Sequence, residues 1–210
     1  MNLYMVRHGQ TAASRENRFS GSSDPPLTAA GEAMAHAFAR AYASLKWEAI
    51  YTSPMLRARQ TADPLGRLTG EQPIVEDGLK EIDYGEWEGL RQEDVKERWP
   101  EAFAHWADDV ASRGTPGGET AFEVAARAMR VVEGIRSRHE SGNVLIVSHK
   151  ATLRVITCAL LGLDVRLFRD RIAQPVGAVT RFGLTKKTAQ LTVLGDRSHL
   201  SEELKSQEGT

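Results

Sequence analysis

The chain has 210 residues, 41% of them hydrophobic and 26% charged, and a formal net charge of -1. That length fits one domain with a substantial core, and the composition fits a water-soluble globular protein. Near-neutrality gives no electrostatic reason to expect nucleic acid or an anionic membrane as partner.

No apolar run reaches the length of a membrane span. Met1 leads into the first strand without a charged-then-apolar leader. The single cysteine, Cys158, excludes an intrachain disulfide, and a cytoplasmic setting is expected. Cys158 lies in an apolar stretch and reads as an inert core thiol.

In chain order, Leu3–Val6 reads as a short buried strand. A polar loop runs from Gln10 to Pro26. Thr28 is placed to cap a helix in which Met34, Phe38, Ala41 and Leu45 recur at helical spacing. Ala49–Thr52 is the next strand. Ser53-Pro54 predicts a helix start, with Ser at the N-cap and Pro at the first helical position, and Pro64 should kink or shorten that helix. Residues 73–76 suggest a third short strand.

Residues 77–118 form an irregular, lid-like excursion that holds Trp87, Trp99 and Trp106 and two short helices. The tryptophans read as packing, since no basic stripe accompanies them. Thr120 and Glu123 make a capping box before a helical stripe of Val124, Ala128, Val131 and Ile135. Asn143–Val147 is a fourth strand, followed by a helix from about Lys150 to Leu161. Val179–Leu184 and Leu191–Leu194 suit an antiparallel pair at a sheet edge. Residues 1–200 thus read as one domain, and residues 201–210 as a polar, frayed tail. Alternating strands and helices predict a three-layer α/β/α sandwich with a mostly parallel, mixed central sheet.

Two histidines stand directly after strands: His8 in Arg7-His8-Gly9, and His149 in Ser148-His149. Strand ends of a parallel sheet are where such folds build a site. Arg57 falls in the first turn of the helix expected from Pro54. Together Arg7, Arg57, two imidazoles and helix N-termini make an anion site that suits phosphate. An imidazole there can attack phosphorus. Glu81 is the best candidate to protonate the leaving oxygen, because a carboxyl beside a dianionic phosphate is held in its acid form.

The chain resembles the histidine phosphatase superfamily, also called the phosphoglycerate-mutase-like family. Six ordered segments carry the likeness. They are residues 7–11 (RHGQT), Arg18 with Ser20-Gly21 and residues 24–28, residues 53–62 (SPMLRARQTA), Glu81 with residues 85–89 (GEWEG), residues 117–120 (GGET), and Ser148-His149.

The resemblance implies that His8 is the nucleophile, that Arg7, Arg57 and His149 bind the phosphoryl group, and that Glu81 is acid and then base. It implies no metal and no cofactor, with 2,3-bisphosphoglycerate needed only in a mutase. Gln10, Ser14, Ser20, Gly21, Tyr84, Lys150 and His199 are the further substrate-binding candidates. Ser14 stands where the family usually has asparagine. Lys150 stands where it usually has glycine or a small residue, and could hold a substrate carboxylate at the pocket mouth or be a solvated lysine. Tyr84 matches a tyrosine that mutases use near the substrate. His199-Leu200 resembles a C-terminal segment that returns toward the pocket in some phosphatases.

The expected activity is hydrolysis of a small, polar phosphomonoester. The excursion is short for a cofactor-dependent mutase, and Arg91, Arg98 and Arg113 are isolated in it. A mutase is the alternative, and a non-catalytic phosphate-binding relative comes third. Within the family, residues 85–89 and 158–162 look similar to metal-independent phosphoserine phosphatases and to ribazole-phosphate phosphatases. The expected partner is a small phosphorylated metabolite, and the edge strands leave room for a homodimer.

Overall fold

The computed structural model describes residues 1–207 and 209. Its elements in chain order are β1 (Asn2–Arg7), α1 (Ala12–Arg15), α2 (Ala29–Tyr42), β2 (Trp47–Thr52), α3 (Leu56–Thr69), β3 (Ile74–Val75), α4 (Gln92–Arg98), α5 (Pro100–Asp108), α6 (Ala121–Arg138), β4 (Asn143–Ser148), α7 (Lys150–Leu161), α8 (Phe168–Arg171), β5 (Val179–Leu184), β6 (Ala189–Asp196) and α9 (Glu202–Lys205). The sheet order is β3-β2-β4-β1-β5-β6. β1, β2, β3 and β4 pair in parallel, whereas β5 is antiparallel to both β1 and β6. The expected mixed sheet is therefore present.

The two-residue period of a strand sends alternate side chains to opposite faces. Leu3, Met5, Val144 and Ile146 pack with Val132 and Ile135 of α6 and Leu153 and Ile156 of α7. Tyr4, Val6, Leu145 and Val147 pack on the other face with Phe38 of α2 and Ala58, Ala62 and Leu65 of α3. Each fully buried Leu, Ile or Val contributes about 1.5–3 kcal/mol, so the two faces fix the three layers. The excursion carries its own cluster, with Trp87, Val95 and Trp106 packed against Val124 of α6 and Val155 and Cys158 of α7. Cys158 is buried there, and burial raises its thiol pKa.

Three expectations are corrected. The third helix begins at Leu56 rather than Pro54, because Ser53 is engaged elsewhere, and it continues through Pro64 to Thr69, where Gly70 takes a left-handed φ of 80°. The tail expected to fray from Ser201 instead carries α9, capped by the Ser201 hydroxyl. Residues 208 and 210 of that tail lie outside the described residues. Sequence patterning also missed α1 and α8, each a single turn.

The register places the site. Val6 of β1 and Thr52 of β2 both align with Val147 of β4. The ladder extends one residue further, with His8 N donating to Ser148 O (3.0 Å) and Ser53 N to Val147 O (3.0 Å). Ser53, His149 and His8 thus emerge side by side, with His149 in the middle.

Candidate active site

His8 is buried, and its Nδ1 lies 2.8 Å from its neighbour's carbonyl, Gly9 O. A carbonyl only accepts, so Nδ1 carries the proton and Nε2 keeps its lone pair. Burial, then Arg57 and Arg7, lower the pKa of His8 well below 6.5. Gly9 is required by close approach: a Cβ there would come within 2.4 Å of Gly31 O at the start of α2. Gly9 N also donates to Thr61 Oγ1 of α3 (3.0 Å), which pins the loop.

His149 is the N-cap residue of α7, and it too is buried. Arg57 Nε donates to its Nδ1 (3.2 Å). A guanidinium only donates, so Nε2 bears the hydrogen and gives it to Ser53 Oγ (2.8 Å). The Ser53 that local sequence reads as a helix cap serves this imidazole as well as accepting from Met55 N (3.3 Å) just before α3. Burial, then Arg57 and His8, hold the His149 pKa well below 6.5.

Arg57 is 1% exposed and heavily engaged. Besides His149, it donates to Ser23 O (2.7 Å), Gly21 O (3.1 Å) and Ser20 O (3.3 Å), and its Nη1 lies 3.6 Å from Asp24. It is a clamp on the loop at 20–24 as well as a cation at the cleft wall. Arg7 donates to Gln174 O (2.9 Å) and to Gly209 O (3.2 Å), while its buried Nε has no partner. Burial pushes the Arg7 pKa down to about 9.

Glu81 sits at the N-terminus of α7. Its Oε2 accepts from Ala151 N (3.1 Å) and its Oε1 from Thr152 N (3.1 Å) and Ile82 N (3.0 Å). Helix N-termini favour negative charge, which fixes the carboxyl there. Oε2, with one backbone donor, is the less saturated oxygen. Behind it, Arg127 binds Gly78 O, Lys80 O and Glu81 O and pairs with Glu119 of the Gly-Gly-Glu turn at 2.9 Å.

A cavity of about 130 Å3 joins these groups, lined among others by Arg7, His8, Arg57, Glu81, Tyr84 and Lys150. The structure therefore brings four of the five expected catalytic residues to one cleft wall, with His149 behind them, its ring centroid 5.2 Å from that of His8. Lys150 is half-buried in the cleft, and burial, with Arg7 and Arg154, pushes its pKa down to about 7. Tyr84 faces the same space, its phenol pKa raised by burial and by Glu81.

Other candidates are placed differently. Ser14 lines the cavity, but its hydroxyl exchanges capping hydrogen bonds with Thr11 at the start of α1. Gln10 Oε1 accepts from Thr28 Oγ1 (2.7 Å) and ties the loop to α2. Ser20 lines the cavity, and both it and Gly21 accept from Arg57 through their carbonyls. His199 packs edge-on against Phe38 and Tyr42 and does not line the cavity, because the chain after β6 folds against α2.

Sequence patterning also missed Glu88. Its Oε1 accepts from Gly21 N (2.8 Å), Ser22 N (2.9 Å) and Tyr84 N (3.1 Å), and its Oε2 from Ser23 N (3.3 Å). It thereby orders the loop that Arg57 grips. Its place in residues 85–89 was the one available signal.

A family model described as "Histidine phosphatase superfamily (branch 1)" matches residues 3–197. The chain belongs to the histidine phosphatase superfamily. This histidine phosphatase is 33% identical to phosphoserine phosphatase 1 of Hydrogenobacter thermophilus over 168 residues, 80% of each chain. It is 32% identical to a probable 2-carboxy-D-arabinitol-1-phosphatase of Arabidopsis thaliana over 83% of this chain and 36% of that protein. The alpha-ribazole phosphatase from Shigella flexneri superposes with a TM-score of 0.85 at 26% identity, covering 96% of this chain and all of that one. The relatives are phosphatases, in keeping with a phosphoric monoester hydrolase. Among the described residues no helix is long and apolar enough to cross a membrane.

Proposed function

We propose that this histidine phosphatase hydrolyses small phosphomonoesters through a phosphohistidine on His8, without metal or cofactor. The observation that carries the reading is the hydrogen bond from His8 Nδ1 to Gly9 O, which leaves Nε2 as a lone pair on a ring that burial keeps neutral. Nε2 attacks phosphorus, and the P–O bond to the leaving group breaks. Glu81 gives its proton to that oxygen and the alcohol departs. Glu81 then takes a proton from water, whose oxygen attacks phosphorus as the Nε2–P bond breaks, releasing inorganic phosphate and returning His8 to its free, neutral form.

Arg7 and Arg57 supply the positive charge that a metal supplies elsewhere. His149 keeps Arg57 in place, and Arg57 reaches phosphate by exchanging one of its loop carbonyls. A cavity of about 130 Å3 favours a small metabolite as partner over a nucleic acid or membrane.

The test is a denaturing quench during turnover of nitrophenyl phosphate. The expected result is an acid-labile, alkali-stable phosphoenzyme that vanishes, with turnover, in His8→Ala. Substantial turnover by folded His8→Ala would overturn the reading.

A further inference from the structure

We propose that Lys150, Arg154 and Arg169 form a second anion subsite, which binds a carboxylate on the substrate. The inference rests on the reading of His8 as the phosphoryl site and specifies the substrate class: short phosphorylated carboxylic acids.

Lys150 and Arg154 are four residues apart on α7, so they share one helix face, about 6 Å apart along the axis. Arg169 reaches the same place from α8, with its guanidinium 4.3 Å from the Trp106 ring centre. All three line the cavity that holds His8. Each is half-buried, and among the described residues none lies within ion-pair distance of a carboxylate. Arg154 Nε is buried with no hydrogen-bond partner.

Three cationic groups gathered with no carboxylate in contact repel one another, Glu81 and Asp170 acting on Arg154 only from beyond ion-pair distance, and each half-buried charge loses hydration. The lowered pKa of Lys150 reflects both effects. Glu81, the acid on this wall, is already held by backbone donors of α7. An anionic ligand is what completes the set.

A carboxylate suits it better than a second phosphate. The guanidinium fork takes two oxygens of either anion, and the unpaired donor on Arg154 is its Nε. What favours the carboxylate is size, because a cavity of about 130 Å3 that already takes one phosphoryl group has more room for a flat monoanion than for a second tetrahedral dianion. Lys150 follows directly on His149, so the subsite begins beside the phosphoryl site. The flat face of Trp106 holds Arg169 in position and closes the apolar side.

The experiment compares kcat/KM for matched esters that differ in one group. O-phosphoserine is set against O-phosphoethanolamine, 3-phosphoglycerate against glycerol 3-phosphate, and fructose 1,6-bisphosphate against fructose 6-phosphate. The wild-type enzyme should prefer each carboxylate ester by roughly 30-fold or more, the discrimination expected of a site built to hydrogen-bond that group. Lys150→Met and Arg154→Met, checked for folding by circular dichroism, should each cut the preference about tenfold.

Ratios near one in wild-type enzyme that still turns over these esters would overturn the subsite, without recourse to any variant. Preference only for the bisphosphate would overturn the carboxylate assignment in favour of a second phosphate. Unchanged ratios in folded variants would overturn the residue assignment. Failure of the wild-type enzyme on every ester, nitrophenyl phosphate included, would instead overturn the phosphatase reading.

Discussion

The imidazoles of His8 and His149 lie 5.2 Å apart, centroid to centroid, and the two rings carry their protons on opposite nitrogens. Gly9 O takes the Nδ1 hydrogen of His8, whereas Arg57 donates to Nδ1 of His149. One ring therefore offers Nε2 as a nucleophile and the other uses Nε2–H to hold Ser53. Both are neutral because burial and the neighbouring guanidiniums penalise the cation. With nitrophenyl phosphate, kcat/KM corrected for substrate ionisation should not fall as pH drops from 8 through 6.5, because His8 is already neutral there and Lys150, with a pKa of about 7, only gains positive charge. The acid limb should appear only well below the ordinary imidazole value of about 6.5. A limb centred at 6.5 would contradict a buried nucleophile.

The same shifts bear on stability. On unfolding both rings return to the ordinary range. Below about pH 6.5 the unfolded chain binds protons that the folded chain refuses. The share of stability that depends on the two rings should therefore be level above pH 6.5 and fall as pH drops from there toward the low folded-state values, while Lys150, held down to about 7 in the fold, adds a separate rise in stability with pH above about 7. Urea midpoints at pH 7.5 and 5.5 measure this. His8→Ala removes one of the two rings, so its slope in this window should be shallower by up to about 1.4 kcal/mol per pH unit. An unchanged slope would show that His8 titrates normally in the fold.

Glu81 is assigned the leaving-group proton, so its removal should be felt in proportion to leaving-group basicity. Glu81→Gln should lower kcat/KM by about 10²–10⁴-fold for alkyl phosphates and far less for nitrophenyl phosphate, whose phenolate leaves unaided. Equal losses on both would mean that Glu81 serves to anchor the start of α7 rather than to move a proton.

Much of the fold was legible from local pattern. Val144–Val147 is apolar on every residue because the strand is covered on both faces, and Thr28 and Thr120 cap helices where their sequences say they should. Arg57 and His149 were legible through their motifs. The partners of these residues were not, because they depend on contacts remote in sequence. Ser53 has the local chemistry of a helix cap, yet His149, 96 residues away, takes its hydroxyl. Nothing local separates Glu81 from Asp83, Glu86 and Glu88. Only the fold gives Glu81 the start of α7 and Glu88 the loop at 21–23. Ser14 does line the cavity, but its capping exchange with Thr11 was not legible, and His199 lies away from the cleft against Phe38 and Tyr42, since position in a motif does not say which neighbour a side chain will meet.

The cations of the cleft predict behaviour toward chelators. Arg7 and Arg57 flank His8. If they suffice to balance the transferring phosphoryl group, purified enzyme dialysed against EDTA should keep full activity. Loss of activity that added magnesium restores would show that the phosphoryl group needs a charge these residues do not provide.

Glu88 offers a test of how the site is held together. It accepts four backbone N–H groups from residues 21, 22, 23 and 84, and the carbonyls of residues 20, 21 and 23 accept from Arg57. Glu88 thus acts on the phosphoryl site through the loop and Arg57, as a positioning residue. Glu88→Gln keeps the shape but replaces one acceptor oxygen by a donor that faces N–H groups. The expected loss of stability is about 2 kcal/mol, the scale of hydrogen bonds to a charged group. With Arg57 loosened, the inhibition constant of inorganic phosphate and KM for nitrophenyl phosphate should rise about tenfold, more than kcat falls. Glu88→Asp, which keeps the charge on a shorter stem, should recover part of that loss. A stable Glu88→Gln with unchanged phosphate affinity would show that His149 and Asp24 hold Arg57 without help from the loop.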